Sequence, residues 1–425
     1  MRLEDLEAIA IQRNPTLAQA EAAVRAAEGR RRQAGLFPNP VAGYFLEEFA
    51  FRSPGETAEQ GAFIEQTIPL GGKLSKAQRV FQLEKDQATI LAEAQRLRVT
   101  NSIRVLYYET LGAQRLVELR DDLSQLAREA VEITRELYNV GQADRPDQLE
   151  IEIESERAEI DFLRAQNDWM RAWQTLASMI GNPSLPPARL AGSPAEDLLA
   201  LNETQLLETL VRQSPDVRVA QAGIERARAV LARARAERVP DLFLRGGLGY
   251  NYERFEPVVP SVAGQRKGLE GRLEVGVNVP IFNRNQGGIT AAEAELAIAE
   301  RDLERLQLML RSQFASSFRE YRNAQQMVER YRTAVVPRAR EAYQMYLANF
   351  RQMAAAYPQV LIAQRTLFQV EVEYARALVQ LRETTVRLRG FLLDGGLDPL
   401  SRPGEGTEGS RLRAPSEATG SSDNK

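Results

Sequence analysis

The feature that most limits what this chain can fold into is the run from Lys73 to Gly181. It reads as one very long helix, a tight reversal at Asn139-Val140-Gly141, and a long helix returning. From Leu116 the apolar positions are Leu116, Leu119, Leu123, Leu126, Ala130, Ile133 and Leu137. Those steps alternate three and four, the seam of a left-handed coiled coil. The return arm gives Leu149, Ile153, Glu156, Ile160, Leu163, Asn167 and Met170 on the same rhythm, with two polar interruptions. No proline falls between Lys73 and Tyr138. At 1.5 Å per residue such a helix would span roughly 100 Å, far beyond the ordinary length of about 11–12 residues. A helix this long belongs to a stalk, a fibre or the wall of a tube.

Composition narrows the function classes. The formal net charge is −3, and a general nucleic-acid binder would carry a basic excess. Cysteine and histidine are both absent. That excludes a disulfide framework, the usual zinc and copper ligands, Cys and Ser–His nucleophiles, and the commonest general base. An enzyme would have to work with carboxylates, Lys, Tyr or Ser. No catalytic residue, cofactor site or metal site is assigned. No run approaches about 18 uncharged apolar residues, so no transmembrane helix is expected. The chain enters a helical pattern at once from Met1-Arg2-Leu3-Glu4, without a signal-peptide apolar region. We therefore expect residue 1 to lie inside or close to the mature chain, the signal peptide not being present in this numbering.

Taken in order, the chain says most things twice. Leu3–Gln12 is a short amphipathic helix. Asn14-Pro15 reads as an N-cap with proline at the first helical position, opening an Ala/Arg-rich helix to about Ala34 that Pro38-Asn39-Pro40 breaks. Candidate strands follow at about 41–51 and 62–69, then Pro69-Leu70-Gly71-Gly72-Lys73 and the long hairpin. After a linker, 182–205, a short helix again precedes Ser214-Pro215, and an Ala/Arg-rich helix again ends at a proline, Pro240. Strands at about 241–253 and 268–280 lead into a second long helical region starting near Ile289. Pro337 should kink its outgoing arm. It should reverse around Gln352–Tyr357 and return to about Leu393. The offset of roughly 200–212 residues is far longer than solenoid periods. We expect a first structural repeat over 1–181, a second over 206–394, and a Gly/Ser/Pro/Glu-rich disordered tail over 395–425.

The strands carry the membrane argument. In the second half Leu242, Leu244, Gly246, Leu248, Tyr250 and Tyr252 alternate with Phe243, Arg245, Gly247, Gly249, Asn251 and Glu253. Leu269, Leu273, Val275, Val277 and Val279 oppose Glu270, Arg272, Glu274 and Asn278. The first-half alternation is imperfect, with Glu47 and Glu48 adjacent. The second-half pair has one apolar and one polar face and needs a covering layer in water, and every other segment is committed to helices. A membrane β-barrel solves this: the apolar face meets lipid, the polar face lines water, and closure removes the edges. Four strands cannot enclose a channel, so several chains would share one barrel. Tyr44, Phe49, Phe51, Tyr250, Tyr252 and Phe255 suit interfacial girdles; packing in an ordinary sheet is the alternative.

This pattern resembles the TolC-type outer membrane factor family over about Leu3–Leu393. The resemblance rests on the duplication, on Asn14-Pro15 and Ser214-Pro215, on the two proline-terminated strands, and on Tyr138-Asn139-Val140-Gly141 followed by Leu149. Ala34-Gly35-Leu36-Phe37-Pro38-Asn39-Pro40 and Gln66-Thr67-Ile68-Pro69-Leu70-Gly71-Gly72-Lys73 look most like its cobalt–zinc–cadmium resistance subgroup. The resemblance implies a mainly α fold with a small β part. Duplicated antiparallel hairpins would form a trimeric α-barrel in the periplasm, and four strands per chain would share a twelve-stranded transmembrane β-barrel. It implies a homotrimer in the bacterial outer membrane, in contact with outer-membrane lipid. Its partners would be a periplasmic adaptor (membrane fusion) protein and an inner-membrane pump of the resistance–nodulation–division type. On that footing Asn139, Val140 and Gly141 are the adaptor-contacting tip, and no nucleic acid is involved. The second turn departs from the family: Phe350-Arg351-Gln352-Met353 lacks glycine, and Gln359 and Ile362 stand where some members place aspartates. In the first repeat Asp144, Asp147 and Glu150, with Glu152 and Glu154, are candidate lumen-facing acids favouring cations; a solvated helix face is the alternative.

The expected function is a passive exit duct for solutes, heavy-metal cations among them. Alternatives are a soluble coiled-coil scaffold, a drug-efflux or type I secretion duct within the family, and a carboxylate-based hydrolase. The last finds its acids in long helical runs with no predicted pocket around them.

Overall fold

The computed structural model describes residues 1–47, 59–141, 144–196, 200–251, 268–352 and 357–399. The order of elements repeats. Helices α1 (Leu3–Arg13) and α2 (Pro15–Ala34) precede strands β1 (Val41–Glu47) and β2 (Glu59–Ile68), then helices α3 (Lys73–Asn139) and α4 (Arg145–Ile180). Helices α5 (Glu203–Gln213) and α6 (Pro215–Ala236), strands β3 (Leu242–Asn251) and β4 (Gly268–Val277), and helices α7 (Gln286–Arg330), α8 (Val336–Arg351) and α9 (Tyr357–Arg389) follow. The proline-free run from Lys73 is a single helix of 67 residues.

Two units form. The first comprises Met1–Ala22, Ile90–Arg218 and Glu304–Lys425. Its core gathers Leu6 and Ala10 of α1, Ile103, Tyr107 and Leu111 of α3, and Trp173, Leu176 and Ile180 of α4. The Trp173 indole N–H donates to Leu185 O at 3.0 Å, so the ring is buried without an orphaned donor. Both proline-opened helices are capped as their sequences require. Asn14 Oδ1 accepts from Thr16 N at 2.9 Å, and Ser214 Oγ accepts from Val217 N at 3.3 Å. Pro337 acts through the turn before it. Residues Tyr331–Val335 widen into a π-turn in which Val336 N–H reaches Tyr331 O, the local accommodation of a missing donor and a crowding ring.

The second unit, Ala23–Thr89 and Val219–Leu303, holds one antiparallel sheet in the order β1-β2-β3-β4. Here the strand bounds differ from expectation. β2 begins at Glu59, three residues before the expected 62, because Glu59, Gln60 and Gly61 pair with Glu47, Leu46 and Phe45 on one side and with Asn251, Tyr250 and Gly249 on the other. Their polar and glycine character hid a strand that its neighbours impose. β4 ends at Val277 instead of 280. Its partner β3 starts only at Leu242, after Pro240, so the ladder has nothing to continue with beyond Asp241 O, which Asn278 N reaches at 3.4 Å. Phe49, Phe51, Tyr252, Phe255, the second reversal at 353–356 and the tail beyond 399 lie outside the described residues.

The coiled-coil seams need a larger correction. On α3, Leu119 and Ala130 are buried and the rest of the predicted stripe is half-buried. On α4 the predicted stripe is the exposed one: Leu149, Ile153, Ile160, Leu163 and Met170 all face outward, Ile153 at 54% exposure. The buried line is Gln148, Ala158, Trp173, Leu176, Ala177 and Ile180. Small and polar side chains let α4 approach α3, with Ser124 Oγ and Arg128 Nη1 both on Glu159 Oε2 at 2.7 and 2.8 Å. Periodicity found a real stripe on α4 but not which surface it serves.

Candidate functional site

Register sorts the sheet residues onto two faces. On one, Tyr44, Leu46, Ile64, Leu248, Leu269, Leu273, Val275 and Val277 are all exposed, with Leu269 and Leu273 at 74%. This is a continuous apolar surface with no described element over it. Four such strands in water would be both sticky and open-edged.

The other face is built from glycines, phenylalanines and charges. A Cβ on Gly43 would stand 2.5 Å from the Phe63 ring, and one on Gly276 would stand 2.2 Å from the Phe243 ring. Glycine at these positions lets each phenyl lie flat across the neighbouring strand. Arg245 stacks on Phe63, 3.9 Å from the ring centroid. Phe45 lies over Gly61 and Gly249. Arg272 of β4 sits over the Phe45 ring, 5.3 Å from its centroid, reaching Glu47 with Nη1–Oε2 2.8 Å and Glu59 with Nη2–Oε2 3.3 Å. One side chain thus ties β4 to β2 and β1 across the sheet. Sequence reading missed this strut; the alternate glycines Gly247 and Gly249 were its one signal.

Where β2 ends and β3 begins, Lys73 fixes the junction of strand and helix. Its Nζ donates to Asp241 Oδ1 at 2.8 Å, and Leu70 N donates to the same oxygen at 3.1 Å. The proline-terminated strand motif therefore ends in a charged clasp.

At the hairpin tip, Asn139 ends α3 and Val140 is 69% exposed. Gly141 has φ 75°, and nothing lies within 4 Å of where a Cβ would stand. Its glycine is required by backbone conformation alone. Asp144 and Asp147 are exposed but committed to capping α4: Asp144 N donates to Asp147 Oδ2 at 3.2 Å. Glu150 is exposed one turn on, three residues after Asp147 on α4. Further along α4, Glu154 pairs with Arg365 of α9 at 2.5 Å, joining the two hairpins. Among the described residues no group of three or more carboxylates could hold a metal ion.

One cleft in the first unit was not legible in the sequence. It measures about 390 Å³ and is lined by Glu109, Ala113, Arg171, Ala172, Val379 and Glu383 among others. Burial pushes Glu383 up to about 7, helped by the charge of Glu109 and opposed by Arg387. Burial also raises Glu109, against Arg387 and Arg171. The two acids come from α3 and α9, so no local spacing announces them.

Comparison with known proteins follows the same lines. Residues 8–182 and 206–392 match the outer membrane efflux protein family. The chain is 26% identical to the cobalt-zinc-cadmium resistance protein CzcC of Cupriavidus metallidurans over 398 residues, 92% of this chain and 90% of that protein. It is 24% identical to the pyoverdine export outer membrane protein OpmQ of Pseudomonas putida, covering 91% of this chain and 84% of the relative. Among solved structures it resembles the outer-membrane channel OprN, with TM-score 0.74, 19% identity, and 93% and 90% of the two chains covered. It also resembles the outer membrane protein VceC of Vibrio cholerae, with TM-score 0.72, 20% identity, and 93% and 96% covered. The four-stranded sheet on a mostly helical chain is therefore the fold of outer-membrane channels, and the chain belongs to the outer membrane efflux protein family.

Proposed function

We propose that three copies of this chain form an exit duct through the bacterial outer membrane, the last stage of a tripartite efflux system. The observation that carries this reading is the uncovered apolar face from Tyr44 to Val277 on a sheet with two open edges. Lipid satisfies the face, and closure of twelve strands, four from each copy, satisfies the edges. The strands alternate in direction from β1 to β4, so β4 of one copy meets β1 of the next antiparallel. The outward stripe on α4 supports the same assembly, since a Leu/Ile line at heptad spacing finds its partner on a neighbouring copy. The helical hairpins would then wall a barrel in the periplasm.

In this reading the exposed Asn139-Val140-Gly141 turn is the surface for a periplasmic adaptor, which an inner-membrane pump of the resistance–nodulation–division type holds in turn. The Glu154–Arg365 pair ties the hairpins near that end, and opening would release it. Heavy-metal cations are the cargo best supported, through the likeness to the cobalt–zinc–cadmium resistance protein. Asp144, Asp147 and Glu150 would then act at the entrance by charge alone, without binding. A soluble scaffold would leave the whole sheet face in water, which disfavours it.

The test is expression behind an export signal, followed by membrane fractionation and mass measurement in detergent. A trimer in the outer-membrane fraction supports the duct. A monomer or dimer that stays in solution without detergent overturns it.

A further inference from the structure

The two outer edges of the sheet carry exposed apolar residues at the same end. Leu36 and Phe37, leading into β1, are 59% and 65% exposed. Ile281 and Phe282, following β4, are 60% and 91% exposed, and Phe282 is the most exposed large apolar side chain among the described residues. β1 and β4 are the first and last strands of the sheet, so these pairs stand at opposite edges.

Both segments are held in place. Pro38 and Pro40 stiffen the lead into β1, and Gln66 Nε2 donates to Pro38 O at 2.9 Å. After β4, Gln286 Nε2 donates to Phe282 O at 3.0 Å and Arg284 Nε donates to Ile281 O at 3.2 Å. Asn285 Nδ2 in turn donates to Ala234 O at 2.9 Å. An apolar side chain on a loop whose backbone is already fixed is partly pre-organised for a partner, since only its own rotamers remain to be ordered on contact.

We propose that Ile281-Phe282 of one copy packs against Leu36-Phe37 of the next, forming an apolar clasp at each junction between copies. The inference rests on the ring closure proposed above. When β4 meets the neighbour's β1, the loop after β4 and the segment before β1 arrive side by side at the same rim. Within one copy they are separated by the width of the sheet. The occupant is therefore a second copy of this chain, and each half of the site is incomplete alone.

Residues 1–425 contain no cysteine, so cross-linking within them reads only the introduced thiols. The double variant Phe37→Cys/Phe282→Cys, purified from membranes in detergent, is treated with a short bismaleimide and run under denaturing conditions. Covalent dimers and trimers from the double variant, and none from either single variant, are expected. A native mass of three copies with no covalent ladder would overturn the clasp while leaving the trimer standing. A single-copy native mass would instead show that ring closure itself had failed. As a second readout, a fluorophore on Phe282→Cys should resist quenching by lipid-borne spin labels. Strong quenching would assign Phe282 to lipid and also overturn the clasp.

Discussion

Replacing Leu273 by lysine places a charge at the centre of the apolar face of β4. The strand runs ten residues, Gly268–Val277. At about 3.3 Å per residue and a tilt near 40°, it rises about 25 Å, the height of the outward apolar band of membrane barrels. Leu273 sits half-way along it and is 74% exposed on the apolar side. A lysine at the bilayer midplane costs about 2–4 kcal/mol. Three copies per barrel bring the total to about 6–12 kcal/mol, enough to prevent assembly. The same change at Val277, the last residue of the strand, should cost about 0–1 kcal/mol per copy. Glu274→Gln, on the polar face, should leave assembly intact. The assay is the yield of heat-dissociable trimer in the outer-membrane fraction, with the urea midpoint for folding into vesicles as a second measure. If Leu273→Lys assembles like the parent, or if Val277→Lys costs as much as Leu273→Lys, the lipid-facing assignment is wrong.

Three further outcomes follow. Gly141→Pro forces φ near −65° on a residue at 75°; metal tolerance of cells should fall to that of a deletion while trimer yield holds, and unchanged tolerance would remove the tip from the adaptor contact. Arg365→Ala breaks the pair with Glu154, worth about 0.2–1 kcal/mol for an exposed pair, so three copies should raise resting leak conductance at least about 3-fold; an unchanged leak would mean the pair does not hold the closed state. Glu383 lies above its ordinary 4.5, at about 7, so the stability it contributes is complete below about pH 4.5 and is lost as pH rises through about 7. At full strength that shift is worth ~3 kcal/mol, and solvent screening of a partly exposed group reduces it to about 1–2 kcal/mol. Glu383→Gln should therefore unfold at a higher temperature than the parent at pH 8 and match it at pH 4, and a parallel offset at both pH values would refute the cause assigned to it.

Much of the helical architecture was legible because helices announce themselves locally. Asn14-Pro15 and Ser214-Pro215 start helices where caps and proline demand it, and the proline-free run from Lys73 stays one helix to Asn139. What depends on a partner was not legible. Glu59–Gly61 become strand because β1 and β3 flank them. The α4 stripe shows its spacing in sequence but not its surface, because the residues buried in that stretch are Ala158 and Gln148, which carry no apolar periodicity. At the candidate site, the Gly141 turn was readable from one glycine. The Arg272–Glu47–Glu59 strut, the Glu154–Arg365 pair and the Glu109–Glu383 cleft join residues that only the fold brings together.

Single-channel recording of purified protein in a planar lipid membrane asks whether this chain makes a hole through a bilayer. Discrete, long-lived conductance steps are expected from material whose mass is three copies of the 47.6 kDa chain. Arg365→Ala should raise the open fraction without changing the number of copies. Trimeric protein that inserts but never conducts, with or without that substitution, would rule out the duct.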